Sequence, residues 1–295
     1  MSNGNVNRNY KDSLFRMIFR EKKELLNLYN AVNGSNYTDP ELLEVNTMED
    51  ILYMGMKNDI SFLIGDYLNL YEEQSTLNPN MPLRGVFYFS RLYQGFVAKH
   101  HLDVYGRSQL LLPMPKYLVF YMGPDDIGET KEMRLSDAFG PHDGEVPALE
   151  CIATYLNVNY GHNQSLMAQC RKLQEYSILI DQIRKELASG EELPAAVGAA
   201  VQYCIDHGVL DEFLRRHRAE VKEMILTGLA DELHWENEKR ISYEDGIKQG
   251  EQRGIQAVIK TYRKLNLPEE ELQKQLMENF SLDESEARQY ILAEQ

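Results

Sequence analysis

Apolar side chains recur at helical spacing through Leu14, Phe15, Ile18, Phe19, Leu25, Leu26 and Leu28, and predict an amphipathic helix over residues 10–32. Asn33-Gly34 closes it, because glycine tolerates the left-handed conformation at a helix C-terminus. Residues 42–46 read as a first strand. Residues 59–64 and 67–74 read as two short strands joined by a tight turn at Gly65-Asp66. Asn78-Pro79-Asn80 marks a loop. Val86, Phe87, Phe89, Leu92, Tyr93 and Phe96 then predict a helix over 83–99. Residues 116–121 form a continuous apolar run typical of a buried strand. Residues 124–147, rich in Gly, Pro and charge, read as an irregular connection. Residues 149–159 predict another strand. Tyr160-Gly161-His162-Asn163 reads as a strand-to-helix turn with Asn163 as N-cap. Helices are predicted over 165–187, 195–207 and 210–238, with two more beginning near Pro268 and Ser281.

The hairpin is the chemically informative element. Its second strand folds back beside the first, so Asp59 and Glu72 can lie close together. Gln74 shares a face with Glu72, because strand side chains alternate with period two. Two carboxylates at a sheet rim suit a hard divalent cation, the arrangement that metal-dependent phosphodiester cleavage needs. On the following helix, Arg84, Tyr88 and Arg91 fall at spacings of four and three and share one face. Guanidinium groups there could clamp phosphate, and the spacing fits ordinary helix-surface cations equally well.

Composition narrows the field. The 295-residue chain is 43% hydrophobic and 26% charged, which fits a globular main domain plus a helical extension. No apolar run is long enough for a membrane span, and the polar start has no signal-peptide character, so a cytoplasmic location is expected. Cys151, Cys170 and Cys204 have neither disulfide-framework nor zinc spacing. No phosphate-binding G-x-x-x-x-G-K-[ST] loop occurs. The net charge of −15 counts against a generic nucleic-acid binder. Residues 1–100 hold ten basic and twelve acidic side chains, however, so the excess lies in the rest of the chain.

The order helix, strand, hairpin, helix, strand, with Asp59 and Glu72-x-Gln74 on the hairpin, resembles the core of the PD-(D/E)XK nuclease superfamily. More closely, the chain is similar to Rpn-type recombination-promoting nucleases, often labelled putative transposases. The residues that carry the likeness are Tyr10–Phe19, Lys57–Phe62, Leu70–Ser75, Arg84–Tyr93 and Leu156–Asn163. It covers about residues 8–240. The resemblance implies an α/β restriction-endonuclease-like core with a central mixed sheet flanked by helices. It divides the chain into a nuclease-like core at 8–163, a packed helical part at 164–240 and a charged helical tail at 241–295. It implies Mg²⁺, or Mn²⁺ in its place, held by Asp59, Glu72 and the backbone carbonyl of Glu73. Catalysis would fall to Asp59, Glu72 and Gln74, and DNA binding to Arg84, Tyr88 and Arg91. Gln74 stands where the family usually has Lys, so a neutral amide would orient the attacking water where a cation would otherwise stabilise charge.

Two functions follow as expectations. One is a Mg²⁺-dependent DNA endonuclease tied to recombination or mobile elements. The other is a catalytically inactive nuclease-fold protein that acts as an interaction module through its helical tail. Gly246, Gly250 and Gly254 repeat every four residues in that tail and suggest self-association into a homo-oligomer. Their charged neighbours exclude a membrane GxxxG reading.

Overall fold

The computed structural model describes residues 10–45, 60–140, 144–265 and 267–293. The chain divides into two compact units, Met1–Leu229 and Ala230–Gln295. The first is an α/β unit built on a six-stranded mixed sheet. Its strands are β1 (Glu44–Val45), β2 (Ile60–Ile64), β3 (Tyr67–Gln74), β4 (Met114–Tyr121), β5 (Thr130–Arg134) and β6 (Ile152–Asn157). Their spatial order is β1-β2-β3-β4-β6-β5. β1, β2 and β3 pair antiparallel, β3-β4 and β4-β6 parallel, and β5-β6 antiparallel.

The hairpin forms as its punctuation predicts. Ile60 pairs with Tyr71 and Ile64 with Tyr67, and Gly65 turns at φ 53°. Successive β3 residues serve opposite cores. Tyr71 joins Phe62 and Phe120 in a large cluster with helices α1 (Tyr10–Ile18), α2 (Lys22–Asn33), α4 (Gln164–Gln169), α5 (Arg171–Ala188), α6 (Leu193–Asp206) and the start of α7 (Asp211–Lys264). Leu70 joins Tyr117, Val119, Tyr121 and Tyr155 beneath α3 (Met81–Lys99). The parallel β3-β4 step needs a crossover, and α3 supplies it.

Several elements differ from the sequence reading. The helix expected over 10–32 breaks after Ile18, and Glu21 is extended at ψ 125° ahead of α2. The break lets Phe15 and Phe19 from one segment and Leu25, Leu28 and Tyr29 from the next reach the same core. The connection at 124–147 contains an edge strand, β5, whose polar sequence Thr-Lys-Glu-Met-Arg is mostly exposed. Charged side chains on such an edge discourage further strand pairing. The helix expected over 210–238 runs on into the expected helical tail and ends at Lys264, as α7. It joins α8 (Glu269–Phe280) and α9 (Glu284–Ala293) in a second, small core of Ile255, Ile259, Leu272, Leu276, Ala287 and Ile291. No helix among the described residues is long and apolar enough to cross a membrane.

Candidate functional site

Glu72 sits at the carboxyl end of β3, fully buried on the α3 side. A carboxylate there needs a charged or hydrogen-bonding partner, since burial penalises the ionised form. Arg84, in the first turn of α3, supplies one: its Nη2 donates to Glu72 Oε2 at 2.9 Å. The same Nη2 donates to Tyr88 Oη at 3.0 Å, one turn further along. Nη1 reaches only the Met81 thioether, at 3.1 Å, a weak acceptor. Arg84 Nε is buried with no hydrogen-bond partner among the described residues. The guanidinium therefore holds the carboxylate through one nitrogen rather than as a two-pronged fork.

Tyrosines wall this pair. Burial raises the Tyr117 hydroxyl well above its ordinary value, and the Glu72 charge adds to the rise. Tyr155 is pushed up to about 12 by burial, while its hydroxyl donates to the Asn78 carbonyl at 3.1 Å. Both phenols stay neutral at physiological pH. For Arg84, burial pulls downward, but Glu72 and Tyr88 outweigh it and the net shift is upward. The guanidinium is thus fixed in its charged form.

Glu73 is buried on the opposite face of the same strand. Its Oε1 accepts from Ser75 Oγ at 3.3 Å. Tyr176 of α5 is raised well above the ordinary range, first by burial and then by the Glu73 charge. The two adjacent acids therefore serve two separate environments, and neither is solvated. Gln74 is half-buried, alternation returns it to the Glu72 side, and its carbonyl accepts from Met122 N at 2.9 Å.

Of the other expected site residues, Tyr88 is fully buried beside Arg84, and Arg91 is half-buried about two turns further along α3. Asp59 lies outside the described residues, directly before Ile60, whose partner is Tyr71. Among the described residues, no group of three or more His, Cys, Asp or Glu could hold a metal ion. The donors that are described, the Glu72 carboxylate and the carbonyl of Glu73, are hard oxygens of the kind Mg²⁺ selects. Among the described residues, β2 pairs with β3 only as far as Tyr71. Of the described donors, the Glu72 carboxylate is already engaged by Arg84.

A second polar network ties the carboxyl ends of β4 and β6 to α5. Arg184 donates through Nη1 to Asn159 Oδ1 at 2.7 Å and through Nη2 to the Met122 carbonyl. Asn159 Nδ2 donates to Asn157 Oδ1 at 2.8 Å and to the Gly123 carbonyl at 3.1 Å. Asn163 precedes α4 at φ 42°, and its side chain bonds the carbonyls of Asn157 and Glu129 instead of capping the helix. Each of these side chains satisfies main-chain groups, so the network braces the turn at Tyr160–Asn163. Family models, curated proteins and solved structures give no match to this chain.

Proposed function

We propose that the chain is a Mg²⁺-dependent DNA endonuclease of the PD-(D/E)XK type, connected to recombination or mobile elements. The observation that carries this reading is Glu72, a fully buried carboxylate at the end of a tight hairpin, with Gln74 on the same strand face. Asp59, Glu72 and the Glu73 backbone carbonyl would hold the cation. When bound, the ion supplies Lewis-acid stabilisation of the charge that builds on phosphorus-bound oxygen. Gln74 orients the attacking water through its amide. Arg84 and Arg91 offer donors to the DNA backbone from one side of α3. The net charge of −15 keeps non-specific DNA affinity low, so productive binding depends on this local basic face. Plasmid nicking with Mg²⁺ or Mn²⁺ tests the proposal. Wild-type protein should cut, and Asp59→Ala and Glu72→Gln should not. A wild-type protein that cuts nothing with either ion overturns it.

The Arg84–Glu72 ion pair favours a second reading. In an inactive nuclease fold the pair simply closes a former site, and the protein acts as an interaction module. Glu72→Gln would then lower stability, and there would be no nuclease activity to lose.

A further inference from the structure

A groove of about 190 Å³ opens where the end of α1 and the starts of α2, α5 and α7 meet. None of the expected site residues lines it. Its walls are the apolar side chains of Met17, Ile18, Leu210 and Phe213, and the Phe213 ring lies 5.2 Å from that of His217. The backbone departs from regular geometry at two lining positions. Leu210 sits at φ 49°, in the left-handed region that a bulky side chain rarely adopts, and α7 is kinked at His217 with φ −115° and ψ 19°. Such departures persist only where the surrounding structure imposes them, and they concentrate at ligand sites. The groove edge also carries an imbalance of charge: Glu21, Glu24 and Glu212 against Lys172 and Arg216. Both cations are engaged. Arg216 meets Glu212 at 2.7 Å and Glu21 at 4.0 Å, and Lys172 meets Glu175 at 3.4 Å. His217 faces Glu220 at 3.2 Å. Glu24 is different. It is half-buried, no cation pairs with it among the described residues, and its carboxylate accepts only from the Asn27 amide at 3.3 Å.

We propose that this groove binds a small organic cation: a primary ammonium that carries one ring-sized apolar body. The ammonium sits on Glu24, and the body packs against Met17, Ile18, Leu210 and Phe213. A carboxylate partly withdrawn from water with one neutral donor gains most from a charged one. The size follows from the volume, since an apolar cavity of about 150 Å³ is enough to admit benzene. An anion is disfavoured, because each cation at the groove is already spent on a carboxylate. A bare metal ion would leave the apolar walls wet and gain nothing from them. Glu21, at the start of α2, adds attraction for positive charge at the groove mouth. This inference stands apart from the nuclease reading.

Heteronuclear NMR titration of the full chain tests the groove with three probes that share one body. Phenethylamine should bind with a dissociation constant on the order of 1 mM or tighter, a modest demand on so few atoms. It should shift the amide resonances of Ile18, Leu210 and Phe213. Phenethyl alcohol keeps the ring without the charge and should bind roughly tenfold more weakly, the order expected for losing one charge-assisted bond. Phenylacetate, with the opposite charge, should not bind. Glu24→Gln should weaken phenethylamine about tenfold and leave phenethyl alcohol unchanged. The comparison among probes on wild type needs no variant, so it decides the matter even if Glu24→Gln fails to fold. If phenethylamine at millimolar concentration moves none of the three resonances, there is no such site. If phenylacetate binds as well as the amine, or if a folded Glu24→Gln binds the amine as tightly as wild type, the cation-selective groove is overturned.

Discussion

Gly85 of α3 lies directly on the ring of Tyr117 in β4. A Cβ added to this glycine would sit 2.7 Å from Tyr117 Cε1 and 2.9 Å from Cys151 Sγ. Both neighbours belong to the packed α3 side of the sheet, so neither can simply swing away. The close approach sets how near α3 comes to β4, and so how Arg84 lies over the sheet face that carries Glu72. Gly85→Ala should gain about 1 kcal/mol of helix propensity and lose about 1–3 kcal/mol to overpacking. A net loss is expected, larger for Gly85→Val, and chemical denaturation measures it. A stabilised Gly85→Ala variant would mean that α3 shifts freely over the sheet.

Alkaline pH should unfold the protein early. Burial pushes the Cys204 thiol up to about 12 and those of Cys170 and Cys151 up to about 11, from an ordinary 9.0. The unfolded chain loses these protons near pH 9 while the folded chain keeps them. A group whose folded value is raised contributes full stability below its unfolded value, and that contribution is lost as pH climbs toward the folded value. Tm should therefore hold level up to pH 9.0 and fall as pH rises toward about 11, followed by circular dichroism. Cys204→Ala removes one contributor and should flatten the fall. A level Tm across the whole range would contradict the thiols' burial.

DNA affinity should distinguish the two arginines of α3. If Arg91 contacts phosphate, Arg91→Ala should reduce the slope of log affinity against log salt by about 1 and weaken all sequences alike. Arg84→Ala should lose a similar phosphate contact, yet it also leaves Glu72 buried without this cation and should lower stability by several kcal/mol, on the order of 3. Fluorescence anisotropy over a salt series, together with melting curves, separates the effects. An unchanged slope for Arg91→Ala makes it an ordinary helix-surface charge.

The hairpin was legible because Gly65-Asp66 interrupts two apolar runs, and the glycine does take a positive φ. The Arg84–Tyr88 face was legible from helical spacing, and the two side chains do bond. The bond from Arg84 to Glu72 was not, since no periodicity links a strand residue to a helix residue twelve positions on. β5 was missed because an exposed edge strand carries no apolar alternation. The break after Ile18 was missed because Leu14–Leu28 keeps one helical period, and only the shape of the core requires a bend there. Glu73 shows the limit of reading residue types. A pair of adjacent acids resembles a solvated strand end, yet a strand covered by helices on both faces buries both.

The tail glycines separate into two kinds. A Cβ at Gly254 would lie 3.0 Å from the Phe280 ring, so this glycine lets α7 and α8 approach within their own small core. A Cβ at Gly246 or Gly250 meets nothing within 4 Å. Replacing either of these two by Ala should therefore raise helix stability by about 1 kcal/mol, with no steric cost to offset it. Gly254→Ala should forfeit that gain, because the ring has to yield. Leu276→Ala, in the centre of the same core, should cost about 2–5 kcal/mol and melt Ala230–Gln295 ahead of the α/β unit. Hydrogen exchange along α7 reads all four variants. If Gly246 and Gly250 instead seat a second copy of the chain, their Ala variants should lower the mass seen in light scattering even as the isolated helix grows stronger. Equal exchange protection at all three glycine positions after substitution would show that the contact with Phe280 does not organise this unit.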